Sequence, residues 1–231
     1  LSQNSTGLAL SEFPDLLRMS PSGQSQSAAL ADIVTEDGYD EVAITYINDE
    51  FGESLTDAFT GFYDGEVAFE RAHDGEQASY SGLLSDMNGS GADAWLFITY
   101  QEEFATQVNN MFESGYEAQL YGADSNRGNT VISNTPEGSI NGMKVVEPSA
   151  PVEQDSFQEF SSRFEEEHGE EPTVWSAFAY DCVITAALSI KAADEFTGSA
   201  LSEVVRDVTR PEGEEVFSYE AAYEILDNDG T

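Results

Sequence analysis

Basic residues are almost missing from this chain. Its 231 residues include 8 Lys and Arg against 45 Asp and Glu, a net charge of −37 at pH 7, and lysine occurs only at Lys144 and Lys191. A nucleic-acid binder neutralises phosphates with Lys and Arg, so that class is excluded. Attachment to an anionic membrane through a basic patch is excluded on the same ground. Cysteine is nearly absent too: Cys182 alone rules out an internal disulfide and a zinc cluster of paired thiolates. It sits in the apolar run Cys182 to Leu188, where a small buried hydrophobe is expected. No run approaches the roughly 18 apolar residues of a bilayer span, so none is expected. The Gly-x-x-x-x-Gly-Lys phosphate loop, the dinucleotide Gly-x-Gly-x-x-Gly and the Gly-x-Ser-x-Gly elbow are all absent. The only histidines, His73 and His168, are expected at the surface. Asp124 to Gly128 and Asp227 to Gly230 lack the spacing of a helix-loop-helix calcium loop and read as turns. Neither a metal nor a cofactor is expected.

Aromatic and aliphatic residues, by contrast, are plentiful. Hydrophobic residues make up 40 %, with 14 Phe, 10 Tyr and 2 Trp, which suits a folded core and not an acidic disordered chain. The length allows one large domain or two small ones. Acids run from Glu12 to Asp229 without a long tract. One very acidic partner-binding face would concentrate them; a protein adapted to high salt, as in a halophile, spreads them, because molar salt screens self-repulsion. The second reading fits better. The chain begins Leu1-Ser2-Gln3 without Met and reads as a segment of a longer protein whose targeting signal, if any, lies upstream.

From residue 40 strand and helix alternate. Val42 to Ile47 is a β-rich run; Phe51 to Phe62 carries Leu55, Ala58 and Phe59 at helical spacing. Val67 to Phe69 reads as a strand, Tyr80 to Met87 as a helix, Ala94 to Ile98 as a buried strand, and Phe104 to Phe112 as a helix ended by Gly115. Strands at Gln119 to Tyr121 and Gly142 to Val146 complete the series. This alternation predicts βαβ units and a doubly wound α/β architecture with a parallel sheet. After Pro148-Ser149-Ala150-Pro151, a linker signal, helices are expected over 153–167, 174–194 and 199–209, the second apolar enough to be buried.

Ligands of open parallel sheets bind beyond the carboxyl ends of the strands. Three loops qualify: Asn48 to Gly52, Thr99 to Glu102 and Gly122 to Ser125. Phe51 and Tyr100 with a carboxylate could clamp a small cationic or zwitterionic ligand. Equally, Phe51 could be the first apolar residue of its helix and Tyr100 a loop aromatic.

The ordered motifs resemble a known family. Ser2-Gln3-Asn4-Ser5-Thr6, Phe13-Pro14, Leu17-Arg18, Asn48-Asp49-Glu50-Phe51-Gly52, Tyr80 to Leu84, Gly91 to Ala94, Glu113 to Tyr116, Glu137 to Met143 and Pro172 to Asp181 are similar in order and spacing to type I periplasmic binding proteins. The resemblance is to the extracellular receptors of ABC transporters for branched-chain amino acids. It implies two lobes, each a doubly wound parallel sheet, that close about hinges on an amino acid: residues 1–20 and 148–231 as a partial first lobe, residues 21–147 as the second. It further implies that Ser5 and Thr6 hold the ligand's α-carboxylate. Phe51 and Tyr100 contact the ligand, and Asp124 pairs with its α-ammonium. Gln3 stands where the family has Pro, and Phe51 lacks the hydroxyl of the family's Tyr. The resemblance implies a monomeric binding protein and not an enzyme, with a membrane permease as partner, and an extracellular place tethered through a segment outside this chain. A ligand-sensing ectodomain on the same fold, and an enzyme using Asp124 and Tyr100 for acid–base work, are the alternatives.

Overall fold

In a computed structural model the described residues are 16–193, 195–209, 213–214, 216 and 218–228. The chain divides into two compact units: one spans Pro21–Pro148, and the described residues before and after it form the other.

The first unit begins with α1 (Gly23–Glu36), whose N-cap Ser22 accepts the Ser25 N–H. Next come β1 (Glu41–Ile47), α2 (Glu50–Phe62), β2 (Glu66–His73), α3 (Ser81–Gly89) and β3 (Ala94–Ile98). Then follow α4 (Gln101–Ser114), β4 (Gln119–Ala123), a single 3-10 turn at Asp124–Asn126, α5 (Asn129–Asn134) and β5 (Lys144–Val146). All strands pair parallel in the order β2-β1-β3-β4-β5. On one face α1 and α2 bury Leu30, Val34, Leu55 and Phe59 against Val42, Ile44, Leu96, Ile98 and Tyr121. On the other, Leu84, Met87, Phe104 and Val108 pack on Trp95, Phe97 and Leu120. With both faces covered, β3 is buried along its whole length, which is why its sequence is apolar without alternation. Gly115 ends α4 at φ 68°, a left-handed cap that glycine adopts without strain. β2 runs well past the expected Val67 to Phe69. It is the sheet's edge strand, and edge strands carry exposed charges such as Glu70 and Arg71 that mask a β pattern. α5 is not anticipated from the sequence: Val131 alone of its residues is buried, so it shows no apolar stripe.

In the second unit the described helices are α6 (Asp155–His168), α7 (Val174–Ala192), α8 (Gly198–Val204) and α9 (Tyr219–Asp227); α9 is also unanticipated. Phe160 of α6 meets Tyr180 of α7 at 5.2 Å between ring centroids, and Lys191 pairs with Asp227 across α7 and α9. The expectation of a buried helix over 174–194 needs correction: only Thr185 and Ser189 of α7 are buried, and Val183 and Ile190 are exposed. The physical reason is that the described residues of its own unit contribute no sheet strand to cover it. Cys182, expected buried, is likewise only partly so. The expectation that no segment is apolar enough to span a bilayer also has one exception. α7 has 19 residues at a mean hydropathy of 1.2 and is long and apolar enough by that test.

Candidate functional site

The order of the parallel sheet reverses between β1 and β3, one strand running on to β2 and the other to β4. At such a switch point the loops beyond the carboxyl ends diverge and leave a crevice. The loop after β1 is shaped by two residues. Asp49 caps α2, its Oδ1 accepting the Gly52 N–H at 2.9 Å. Gly52 brings the first turn of α2 so close to the strand that a Cβ there would collide with the Ile47 carbonyl oxygen. The loop after β3 supplies Tyr100, which stacks on Phe51 with centroids 5.5 Å apart and planes 16° apart. The Tyr100 hydroxyl donates to Asp49 Oδ2 at 2.8 Å. One carboxylate therefore fixes both a helix terminus and an aromatic ring across the crevice. Burial, and then that carboxylate, push the Tyr100 phenol up to about 12, so it stays a neutral donor. Tyr100 remains 44 % exposed.

Asp124 opens the 3-10 turn after β4. The Nε2 of Gln26, on the first turn of α1, donates to Asp124 Oδ1 at 2.7 Å and to the Val146 carbonyl at 2.8 Å. Burial raises the Asp124 carboxyl above the ordinary carboxylate range, while Gln26 and the N–H groups of Asp124 and Ser125 pull it back. This turn is docked on the β3 loop: the Thr99 carbonyl accepts Ser125 Oγ at 2.7 Å and Asn126 Nδ2 at 2.9 Å. Gly128, at φ 135°, lies against the Gln101 carboxamide. Arg127, in the same loop, pairs with Glu147.

Of the residues expected at the site, Phe51 and Tyr100 are in contact, and Asp124 lies on the next loop of the same sheet edge, bonded to Gln26. Ser5 and Thr6 lie outside the described residues. Asp49 and Gln26 were not anticipated. An Asp directly before a helical stripe is an N-cap signal that marks Asp49, whereas nothing local marks Gln26. The expected surface position of His73 is corrected: it ends β2 only 6 % exposed. Its Nδ1 donates to the Asp74 carbonyl at 3.0 Å, and its Nε2 accepts from Gln107 Nε2 at 2.9 Å. Burial lowers its pKa, with Glu103, Asp74 and Asp49 opposing.

The edge thus offers aromatic faces and hydrogen-bond acceptors on acidic loops, which suit a cationic group joined to an apolar one. The other unit holds a cavity of about 520 Å³ bounded by Leu17, Ala186, Ser189, Leu201, Ser202 and Val205, among others. The described residues of these walls carry no charge with which to hold a zwitterion.

Residues 2–219 match the family described as periplasmic binding protein. No curated protein sequence matches the chain. Among solved structures, a leucine-binding protein, LivK, from Thermotoga maritima is 19 % identical with a TM-score of 0.75, over 83 % of this chain and 56 % of that one. The branched-chain amino acid transporter substrate-binding protein LivJ from Streptococcus pneumoniae, in complex with isoleucine, is 19 % identical with a TM-score of 0.73, over 90 % and 59 %. A solute-binding protein of an ABC transporter from R. palustris, in complex with benzoate, is 15 % identical with a TM-score of 0.71, over 83 % and 54 %. The chain therefore spans somewhat over half the length of these relatives.

Proposed function

The chain belongs to the periplasmic binding protein family, and from that premise we propose that it captures a free branched-chain amino acid outside the cell for an ABC importer. The observation that carries the reading is the Phe51–Tyr100 stack, fixed by Asp49 at the switch point, on the same sheet edge as the Asp124 carboxylate. In this reading the aromatic pair takes the apolar part of the ligand, and Asp124 takes the α-ammonium through a charge-assisted hydrogen bond. Ser5 and Thr6 hold the α-carboxylate. Phe51 offers a ring face and no hydroxyl, which favours an aliphatic side chain over a polar one. A ligand that favours the closed form then presents the protein to a membrane permease, and the binding protein acts as a tethered monomer. Binding without turnover is favoured because two of the solved relatives are named as binding proteins of transporters.

The test is a calorimetric titration in molar KCl against Leu, Ile, Val and benzoate. Saturable one-to-one binding of an aliphatic amino acid is expected, weakened more than tenfold in Asp124→Ala. Unchanged affinity in that variant would remove Asp124 from the site. Binding of benzoate in preference to amino acids would overturn the ammonium assignment.

A further inference from the structure

Gln26 is 7 % exposed and lies 98 residues from Asp124 in sequence and 120 from Val146. A primary amide nitrogen carries two N–H groups. Here one goes to the Asp124 carboxylate and the other to the carbonyl at the end of β5, so both are in use. Gln26 stands just inside the point where the chain enters this unit at Pro21, and Val146 just before it leaves at Pro148. The Asp124 turn is tied to the end of β5 a second time, through Arg127 and Glu147.

We propose that Gln26 is a positioning residue for the ligand site: it turns the Asp124 carboxylate to receive a ligand's cationic group and couples it to the end of β5. The inference rests on the reading of Asp124 given above. The chemistry of the pairing supports it. Asp124 sits on a short turn whose own N–H groups, those of Asp124 and Ser125, also draw on its carboxylate; the bond from Gln26 to Oδ1 adds a partner from α1 and sets the carboxylate's plane. An Arg or Lys in place of Gln26 would neutralise the carboxylate and compete with an ammonium ligand. A neutral amide orients the carboxylate while leaving its negative charge available. Because the amide donates more strongly to the ionised form than to the neutral acid, it also opposes the protonation that burial favours.

The consequence is readable without ligand. Gln26→Met keeps the volume and removes both donors. In the ligand-free protein the carboxyl 13C titration of Asp124 is expected to move up in pH. An unchanged midpoint in folded Gln26→Met overturns the proposal. With the amino acid found by calorimetry, Gln26→Met is expected to bind at least fivefold more weakly at pH 7.5. The deficit should widen as pH falls, because without the Gln26 donor the Asp124 carboxyl takes up its proton more readily. If Asp124→Asn loses binding while Gln26→Met keeps both affinity and pH profile, the positioning role falls and the ligand site stands. If Asp124→Asn binds as wild type does, the ligand reading itself fails and takes the positioning role with it. Should Gln26→Met fail to fold, Gln26→Glu serves: sharing a proton with Asp124, it should make affinity strongly pH-dependent. A profile like that of wild type would overturn the proposal.

Discussion

Single residues set the chemistry of the sheet edge. Asp49 has two roles, and Asp49→Ala separates them. Loss of the cap on Gly52 should cost about 1 kcal/mol of stability in urea unfolding. Loss of the acceptor should drop the Tyr100 titration from about 12 toward 10, though not all the way, because burial is the larger cause. A midpoint that stays near 12 by phenolate absorbance, differenced against Tyr100→Phe, would show that the carboxylate does not matter. His73 makes a second prediction. Its folded pKa lies below the ordinary imidazole value of 6.5 because burial disfavours the imidazolium. The unfolded chain therefore binds the proton more readily, and stability rises with pH across that window. This contribution is present above the unfolded pKa and is lost as pH falls toward the folded one. The thermal midpoint should decline between pH 7 and 5, and His73→Asn should flatten that decline; an identical slope would sink the assignment. What could be read in advance at this scale was local. Phe51, Tyr100 and Asp124 can be picked out because loops after parallel strands gather at one edge. The partner of Asp124 could not, because Gln26 reaches it only through the folded sheet.

Helices and strands show the same division. β3 and α4 were legible because an unbroken apolar run and a glycine stop have direct structural meanings. The length of β2 was not, since the charges on an edge strand follow solvent and not the pleat. The burial of α7 was misjudged because an apolar composition says that a helix can be covered, and says nothing of what covers it. α2 offers a sharp test of reading glycine from packing. A Cβ on Gly52 would meet the backbone of Ile47, which cannot yield cheaply, whereas a Cβ on Gly61 meets nothing within 4 Å. Gly52→Ala should destabilise by about 1–3 kcal/mol through overpacking. Gly61→Ala should stabilise by roughly 0.5–1 kcal/mol, because alanine gives up less backbone entropy in a helix. Equilibrium unfolding of both variants decides it. Effects of the same sign would mean that propensity, not the approach of α2 to β1, governs this helix.

At the scale of the whole molecule the governing quantity is a charge of −37, and its effect on stability depends on which of two opposed terms wins. Among the described residues the ion pairs Arg71–Asp86, Arg127–Glu147, Lys144–Asp37 and Lys191–Asp227 are all at least partly exposed. Pairs of that kind contribute about 0–1 kcal/mol each and weaken with salt. Repulsion among 45 acids acts the other way, and salt relieves it. Because acids outnumber bases more than fivefold, we expect the thermal midpoint to rise with KCl. Most of the rise should come below about 1 M, by which point the screening length has fallen from roughly 10 Å to 3 Å. Chloride matters here, since sulfate would stabilise almost any fold by exclusion from its surface. The acidic triplet Glu165-Glu166-Glu167 isolates the electrostatic part. It is exposed in the last turn of α6, where the negative end of the helix dipole disfavours acids by about 0.3–1 kcal/mol each. Glu166→Lys should therefore raise the midpoint in 0.1 M KCl and lose that advantage in 2 M KCl. A gain that persists at 2 M would be one of helix propensity or packing. A midpoint indifferent to salt in the unaltered protein would mean that the acids serve a binding face and not a salty solvent.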